Sequence, residues 1–238
     1  MMKKITVNDL VIEVTRKRIK NLNMRIHPPD GRVSVSVPLR ADDEAVRQWV
    51  LTKWDWIQRQ QAKLATLPQP AALQFTSGES HLFQGRACTL NVIPHSGRAK
   101  VVLRDGNQLD LYAAPESDAA YRERVLAAWY RKELQGVIPP LLAYWEPIVG
   151  VQSAEWGIKQ MKTRWGTCNI QARRIWLNLE LMKKPPRCLE YVVVHELVHL
   201  LERYHNARFW GFMDRFYPNW RAVRAELNYG IPEGDDAC

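Results

Sequence analysis

The ten residues from Val192 to Leu201 are apolar except for His195, Glu196 and His199. A helix that is hydrophobic on nearly every side is buried, and polar groups inside it need partners. Two residues four apart on a helix differ by about 40° and one turn, so both imidazoles leave from one face and can grip one ion. Glu196 lies about 100° round from His195. Its carboxylate can therefore reach a water beside the ion rather than the ion itself, the arrangement of the HExxH pattern. A core helix with hydrogen-bonded histidines and a salt-bridged glutamate would explain any one of these residues. The three together at this spacing point to a metal site and to Glu196 as a general base.

A structural zinc is usually closed by four protein ligands, often cysteines, and no two of Cys88, Cys168, Cys188 and Cys238 have finger spacing. A catalytic zinc keeps three protein ligands and an open position, so a third ligand is required. His205 is the first candidate. On a continuous helix it would stand about 120° away and about 9 Å further along, so the chain must bend between Glu202 and His205. In the spacing HExxHxxGxxH a glycine makes that bend, and here Glu202 occupies its place. The competing ligand is Glu226 on a later helix. His27, His81 and His95 fall in β-rich sequence and read as ordinary surface or hydrogen-bonded histidines.

Length and charge set wider bounds. The 238 residues allow one large domain or two small ones. The net charge of +9 suits a nucleotide, a nucleic acid or an anionic protein as partner. The charges are dispersed apart from Arg16-Lys17-Arg18-Ile19-Lys20, which reads as a solvated face. Widely spaced cysteines predict free thiols in a reducing compartment. The first residues lack the apolar core of a signal peptide, and no run is long enough to span a bilayer. These features predict a cytoplasmic protein with no membrane contact, and they set no oligomeric state.

Local patterns predict an α+β chain. Residues 10–14, 22–26 and 33–37 read as strands, with a turn at Pro28-Pro29-Asp30-Gly31. Asp42 to Leu64 reads as one amphipathic helix whose tryptophans are core. Residues 65–75 form a connector. Strands follow over 82–93, 100–103 and 109–112. A helix runs from Ser117 to about Val137, is broken or restarted by Pro139-Pro140, and stops at Gly150. Residues 156–162 and 174–181 read as strands and 164–168 as a loop. Pro185-Pro186 opens the histidine helix. No internal repeat is evident. The division expected is 1–75, a β-meander plus helix, and 76–238, a catalytic domain with a β-rich part 76–113 and a catalytic part 114–238.

Arg164-Trp165-Gly166-Thr167-Cys168, Ile175-Trp176-Leu177-Asn178, Pro185-Pro186, Tyr191 to Leu200, His205-Asn206 and Phe209-Trp210 together resemble the YgjP-like metallopeptidases, relatives of the SprT-like proteases. Arg16-Lys17-Arg18 and Trp54-Asp55-Trp56-Ile57 resemble that family's amino-terminal part. The resemblance implies a zincin-like α+β catalytic fold with Zn2+ on His195, His199 and His205 and Glu196 as base. It implies a peptide or protein substrate, and by analogy a substrate rail at 156–162 or 174–181. Arg164 and Trp165, in the loop between those strands, and Tyr204 as an oxyanion donor are further candidates, against packing for Trp165, a salt bridge for Arg164 and a core phenol for Tyr204. Two other readings stay open: a metal-dependent phosphoanhydride hydrolase acting on nucleotides, and a nucleic-acid-associated protein whose amino-terminal half recruits DNA.

Overall fold

A computed structural model describes residues 2–27, 30–66 and 73–228. The chain forms two compact units, whose described parts are essentially residues 2–66 and 73–227. Pro28-Pro29 and most of the connector expected over 65–75 lie outside the described residues.

In the first unit, β1 (Met2–Val7), β2 (Leu10–Lys17), β3 (Asn23–His27) and β4 (Arg32–Pro38) form a sheet of order β1-β2-β4-β3. β2 and β4 run parallel, and each outer strand is antiparallel to its neighbour. Alternation puts Val33, Val35 and Val37 on the buried face, where Val46, Val50 and Ile57 of the helical segment complete the core. The helix expected from 42 to 64 is two: α1 (Asp43–Thr52) and α2 (Trp54–Thr66), divided at Lys53, whose backbone leaves the helical region. Asp42 caps α1 by accepting from the amides of Glu44 and Ala45.

The second unit opens with the same design. β5 (Ser80–Phe83), β6 (Arg86–Pro94), β7 (Lys100–Arg104) and β8 (Gln108–Ala113) take the order β5-β6-β8-β7 with the same pairing senses. Again an aspartate, Asp118, caps the helix that follows. The chain therefore carries a β-β-β-β-α repeat, contrary to the sequence expectation. Topology and cap recur while few side chains do, so the repetition is hidden at the level of residues.

Helix α3 (Ala119–Val149) runs unbroken through Pro139 and Pro140, another correction. A proline here removes hydrogen bonds to the carbonyls four residues back, at Gln135 and Gly136. All four residues are exposed, so water can satisfy those carbonyls. Leu134, Ile138, Leu142, Trp145 and Val149 hold the opposite face in the core. Gly150, at φ +78°, ends the helix.

The remaining strands, β9 (Glu155–Lys159), β10 (Gly166–Asn169) and β11 (Arg174–Asn178), form a sheet of order β10-β11-β9. β10 lies where a loop was expected. A 3₁₀ turn over Leu179–Lys183 leads into α4 (Pro186–Val198), which packs against α3, β10 and β11 and is followed by α5 (Ala207–Phe216) and α6 (Trp220–Leu227).

Candidate active site

Ten of the thirteen residues of α4, Cys188, Leu189 and Tyr191 to Val198, are buried, with His195 and Glu196 each 1% exposed. The helix ends earlier than the bend expected after Glu202. His199 is its C-cap, and the amides of Leu200, Leu201 and Glu202 turn back onto the carbonyls of Leu197 and Val198. Left-handed non-glycine backbone occurs at five described residues, none of them between 199 and 206. Several ordinary turns thus replace the single glycine turn, which explains why glutamate is tolerated at 202. The His199 Nδ1–H donates to the Glu202 carbonyl at 3.1 Å, and a Glu202 carboxylate oxygen accepts from the Tyr204 amide at 3.1 Å. Asn206 then caps α5 by accepting from the Phe209 amide at 3.0 Å.

This return brings His205 Nε2 to 3.0 Å from His195 Nε2 and 3.1 Å from His199 Nε2. The His199 bond fixes its tautomer and leaves its Nε2 with a lone pair directed at the cluster. His195 Nδ1 faces the Tyr191 hydroxyl at 3.5 Å. Burial lowers the pKa of His195 well below the usual histidine value, with His199 and His205 adding to the effect, and burial lowers that of His199 to about 4. Both imidazoles are neutral at physiological pH.

Glu196 is held differently. Both its carboxylate oxygens are buried without a hydrogen-bond partner, and burial pushes its pKa up to about 8 against a smaller opposing pull from Arg164. Gly166 of β10 makes the space it occupies: a Cβ there would lie 2.9 Å from Glu196 Cγ and Cδ, and closer still to Oε1. The sequence reading missed Gly166. Its signal, a glycine between the aromatic Trp165 and a short strand, is too common to stand out.

These groups fit a divalent metal. Tetrahedral zinc with bonds of about 2.0–2.1 Å separates its ligand nitrogens by about 3.3–3.4 Å, within a few tenths of an ångström of the cluster. The two unpartnered oxygens of Glu196 lack the compensation that a buried carboxyl group needs, which a metal and its water can supply. Among the described residues, His195, His199 and His205 are the set of side chains grouped closely enough to hold an ion.

A model of the YgjP-like metallopeptidase domain matches residues 20–229. The chain belongs to the YgjP-like family. No curated protein matches it. Among solved structures, the metallopeptidase zymogen of abylysin from Pyrococcus abyssi is similar over 41% of this chain and 98% of its own, at 19% identity and a TM-score of 0.38.

In this YgjP-like chain an aromatic column backs the third histidine. The His205 ring stacks on Trp210 with centroids 5.4 Å apart, and Trp210 stacks on Trp220 at 4.5 Å. The Arg221 guanidinium lies over the Trp220 ring, 4.4 Å from its centroid, and is paired to Asp214, which also accepts from the Trp220 indole at 2.8 Å. Helices α5 and α6 thereby orient an imidazole that comes from a loop. Phe209-Trp210, four and five residues after His205, was the visible part of this device.

The other candidates divide. Glu226 pairs with Arg187 and is not in the histidine cluster. Trp165 is buried and structural, with Lys184 over its ring. Arg164 is exposed and makes no ion pair among the described residues, yet its charge is felt at Glu196. Tyr204 is 64% exposed, which rules out a core phenol. His27 bonds Ser34, buried His81 lies near Glu79, and His95 packs on Tyr112, all outside the cluster. Of the two rails expected, 174–181 falls largely on β11, the central strand, paired on both sides, and 156–162 overlaps β9, an edge strand; the other edge strand, β10, borders Glu196. Asn178 was also missed. Its amide donates to the carbonyls of Met161 and Arg164 at 2.9 and 2.7 Å, fixing the segment that leads into β10.

Proposed function

We propose that this protein is a zinc-dependent peptidase of the zincin type, with His195, His199 and His205 as ligands and Glu196 as general base. The observation that carries the reading is the convergence of three imidazole nitrogens beside a buried carboxyl group with no protein partner. When bound, the zinc ion supplies Lewis acidity, the chemistry that lets water act as a nucleophile near neutral pH. A neighbouring cation also favours the ionised form of Glu196. Glu196 accepts one proton from the attacking water as the water oxygen bonds to the peptide carbonyl carbon. It then delivers that proton to the amide nitrogen as the C–N bond breaks, so atoms and charge balance. An extended peptide pairing with the free edge of β10 would run beside Glu196.

Free thiols at Cys88, Cys168 and Cys188, and the lack of any helix among the described residues long and apolar enough to cross a membrane, support the cytoplasmic location that we include in this proposal. The test is incubation of the zinc-loaded protein with an unfolded protein and with a panel of nucleotides, beside Glu196→Gln. Peptide cleavage that the variant lowers by about 10²–10⁴-fold is the expected result for loss of a general base. Release of phosphate or pyrophosphate without peptide cleavage would replace this reading by phosphoanhydride hydrolysis.

A further inference from the structure

The geometry points to a binding site for single-stranded nucleic acid in the first unit, in a groove walled by β3 on one side and by α1 and α2 on the other. The groove, about 460 Å³, is lined by Leu22, Asn23 and Met24 on one side and by Trp49, Thr52, Lys53, Asp55, Trp56 and Arg59 on the other. Three independent features converge on it.

The first is aromatic surface. Trp49 and Trp56 are half-buried: each packs against the core of its unit yet contributes to the groove wall. The sequence pattern assigned both to the core; seven residues apart, one on α1 and one on α2, they share this wall. An indole fixed on one side and open on the other is a platform on which a base can stack, whatever its identity.

The second is charge. Residues 2–66 carry 13 lysines and arginines against 7 acidic residues, a net +6 out of the chain's +9. Lys53 and Arg59 at the groove are exposed and form no ion pair among the described residues. The same holds for Lys17, Arg18 and Lys20 in the segment that leads into Leu22 and β3. By contrast, Lys3, Arg16, Arg32 and Arg47 of this unit pair with carboxylates. Asp55 is the one opposing charge at the groove, against Lys53 and Arg59. The basic run singled out in the sequence thus continues into a wall of the groove, where it can follow a phosphate backbone.

The third is shape. β3 is an edge strand, so nothing in its own sheet covers the groove side. The groove is an open channel beside two stacking faces, which suits an unpaired strand with its bases turned out. A duplex keeps its bases stacked on one another and cannot offer them to Trp49 and Trp56. Binding here uses backbone charge and stacking, so it does not depend on base sequence.

The experiment is fluorescence anisotropy of the full chain with a labelled 12-mer of oligothymidylate, an abasic 12-mer of equal charge, and a 12-base-pair duplex, over a salt series. The expected result is tightest binding to oligothymidylate, weakening as salt rises, with the abasic strand and the duplex each at least tenfold weaker. Lys53→Glu/Arg59→Glu, both exposed positions, should weaken oligothymidylate binding at least tenfold and flatten its salt dependence while leaving the thermal melt unchanged. Trp56→Leu, which leaves Trp49 in place, should bring oligothymidylate part of the way down to the abasic level. Equal binding of the abasic strand, preference for the duplex, or unchanged affinity of the folded charge-reversal variant would each overturn the proposal. None of these outcomes bears on the histidine cluster, which belongs to the other unit.

Discussion

Replacing Glu196 by glutamine should change how the metal-free protein's stability depends on pH, in a window set by Glu196, His195 and His199. In the fold the Glu196 carboxyl has a pKa of about 8, against 4.5 for an ordinary glutamate. Between those values the folded chain holds a proton that the unfolded chain releases, so stability falls as pH rises through the window. His195 and His199 act in the opposite sense. Their folded pKa values lie below 6.5, so the unfolded chain binds more protons and stability rises with pH until 6.5 is passed. Above pH 6.5 the contribution of these two histidines is nearly constant while that of Glu196 continues. From pH 6.5 to 8, at about 1.4 kcal/mol per unit and allowing for partial ionisation near 8, the wild type should lose about 1.5–2 kcal/mol relative to Glu196→Gln. Urea denaturation of both proteins, stripped of metal with a chelator and compared at the two pH values, measures this directly. Equal pH dependence would refute the claim that Glu196 is buried without a partner in the metal-free fold.

Gly166→Ala should leave zinc content unchanged and lower kcat by about 10²-fold, the scale of a catalytic group misplaced by about 1 Å. The added methyl takes the space of the Glu196 carboxylate, and its three nearest neighbours are all atoms of Glu196. Trp220→Leu removes the middle of the column behind His205 and should weaken zinc binding by about 10–100-fold in competition with a chelating dye, the range for groups that orient a ligand. Asn178→Ala removes bonds to the Met161 and Arg164 carbonyls and should cost about 1–3 kcal/mol of stability in a denaturant titration.

The sequence was most legible where local geometry decides. His195, Glu196 and His199 lie on one helix and its C-cap because their spacing requires it, and the helix start at Asp42 and the Gly150 stop are local chemistry in the same way. The return of His205 was legible as a need, since a straight helix carries it away. Its form was not, because a run of ordinary turns with Glu202 side-chain and backbone bonds leaves no residue signature. Pro139 and Pro140 misled the reading because their cost depends on whether the freed carbonyls face water, a tertiary property. Gly166 and Trp220 escaped for a related reason: each acts on a residue 30 and 15 positions away, and only the packing of β10 and α6 against α4 and α5 brings them there. Strand pairing hid both the repeated sheet and the edge position of β10.

On the proposed function, His195, His199 and His205 share one ion. The most direct measurement is the zinc content, by inductively coupled plasma analysis, of wild type, Glu196→Gln and His205→Ala purified without chelator and dialysed against a common low zinc concentration. The prediction is one zinc per chain in the first two and a large loss in the third. Full zinc content in a folded His205→Ala, or none in the wild type even after add-back, would contradict it.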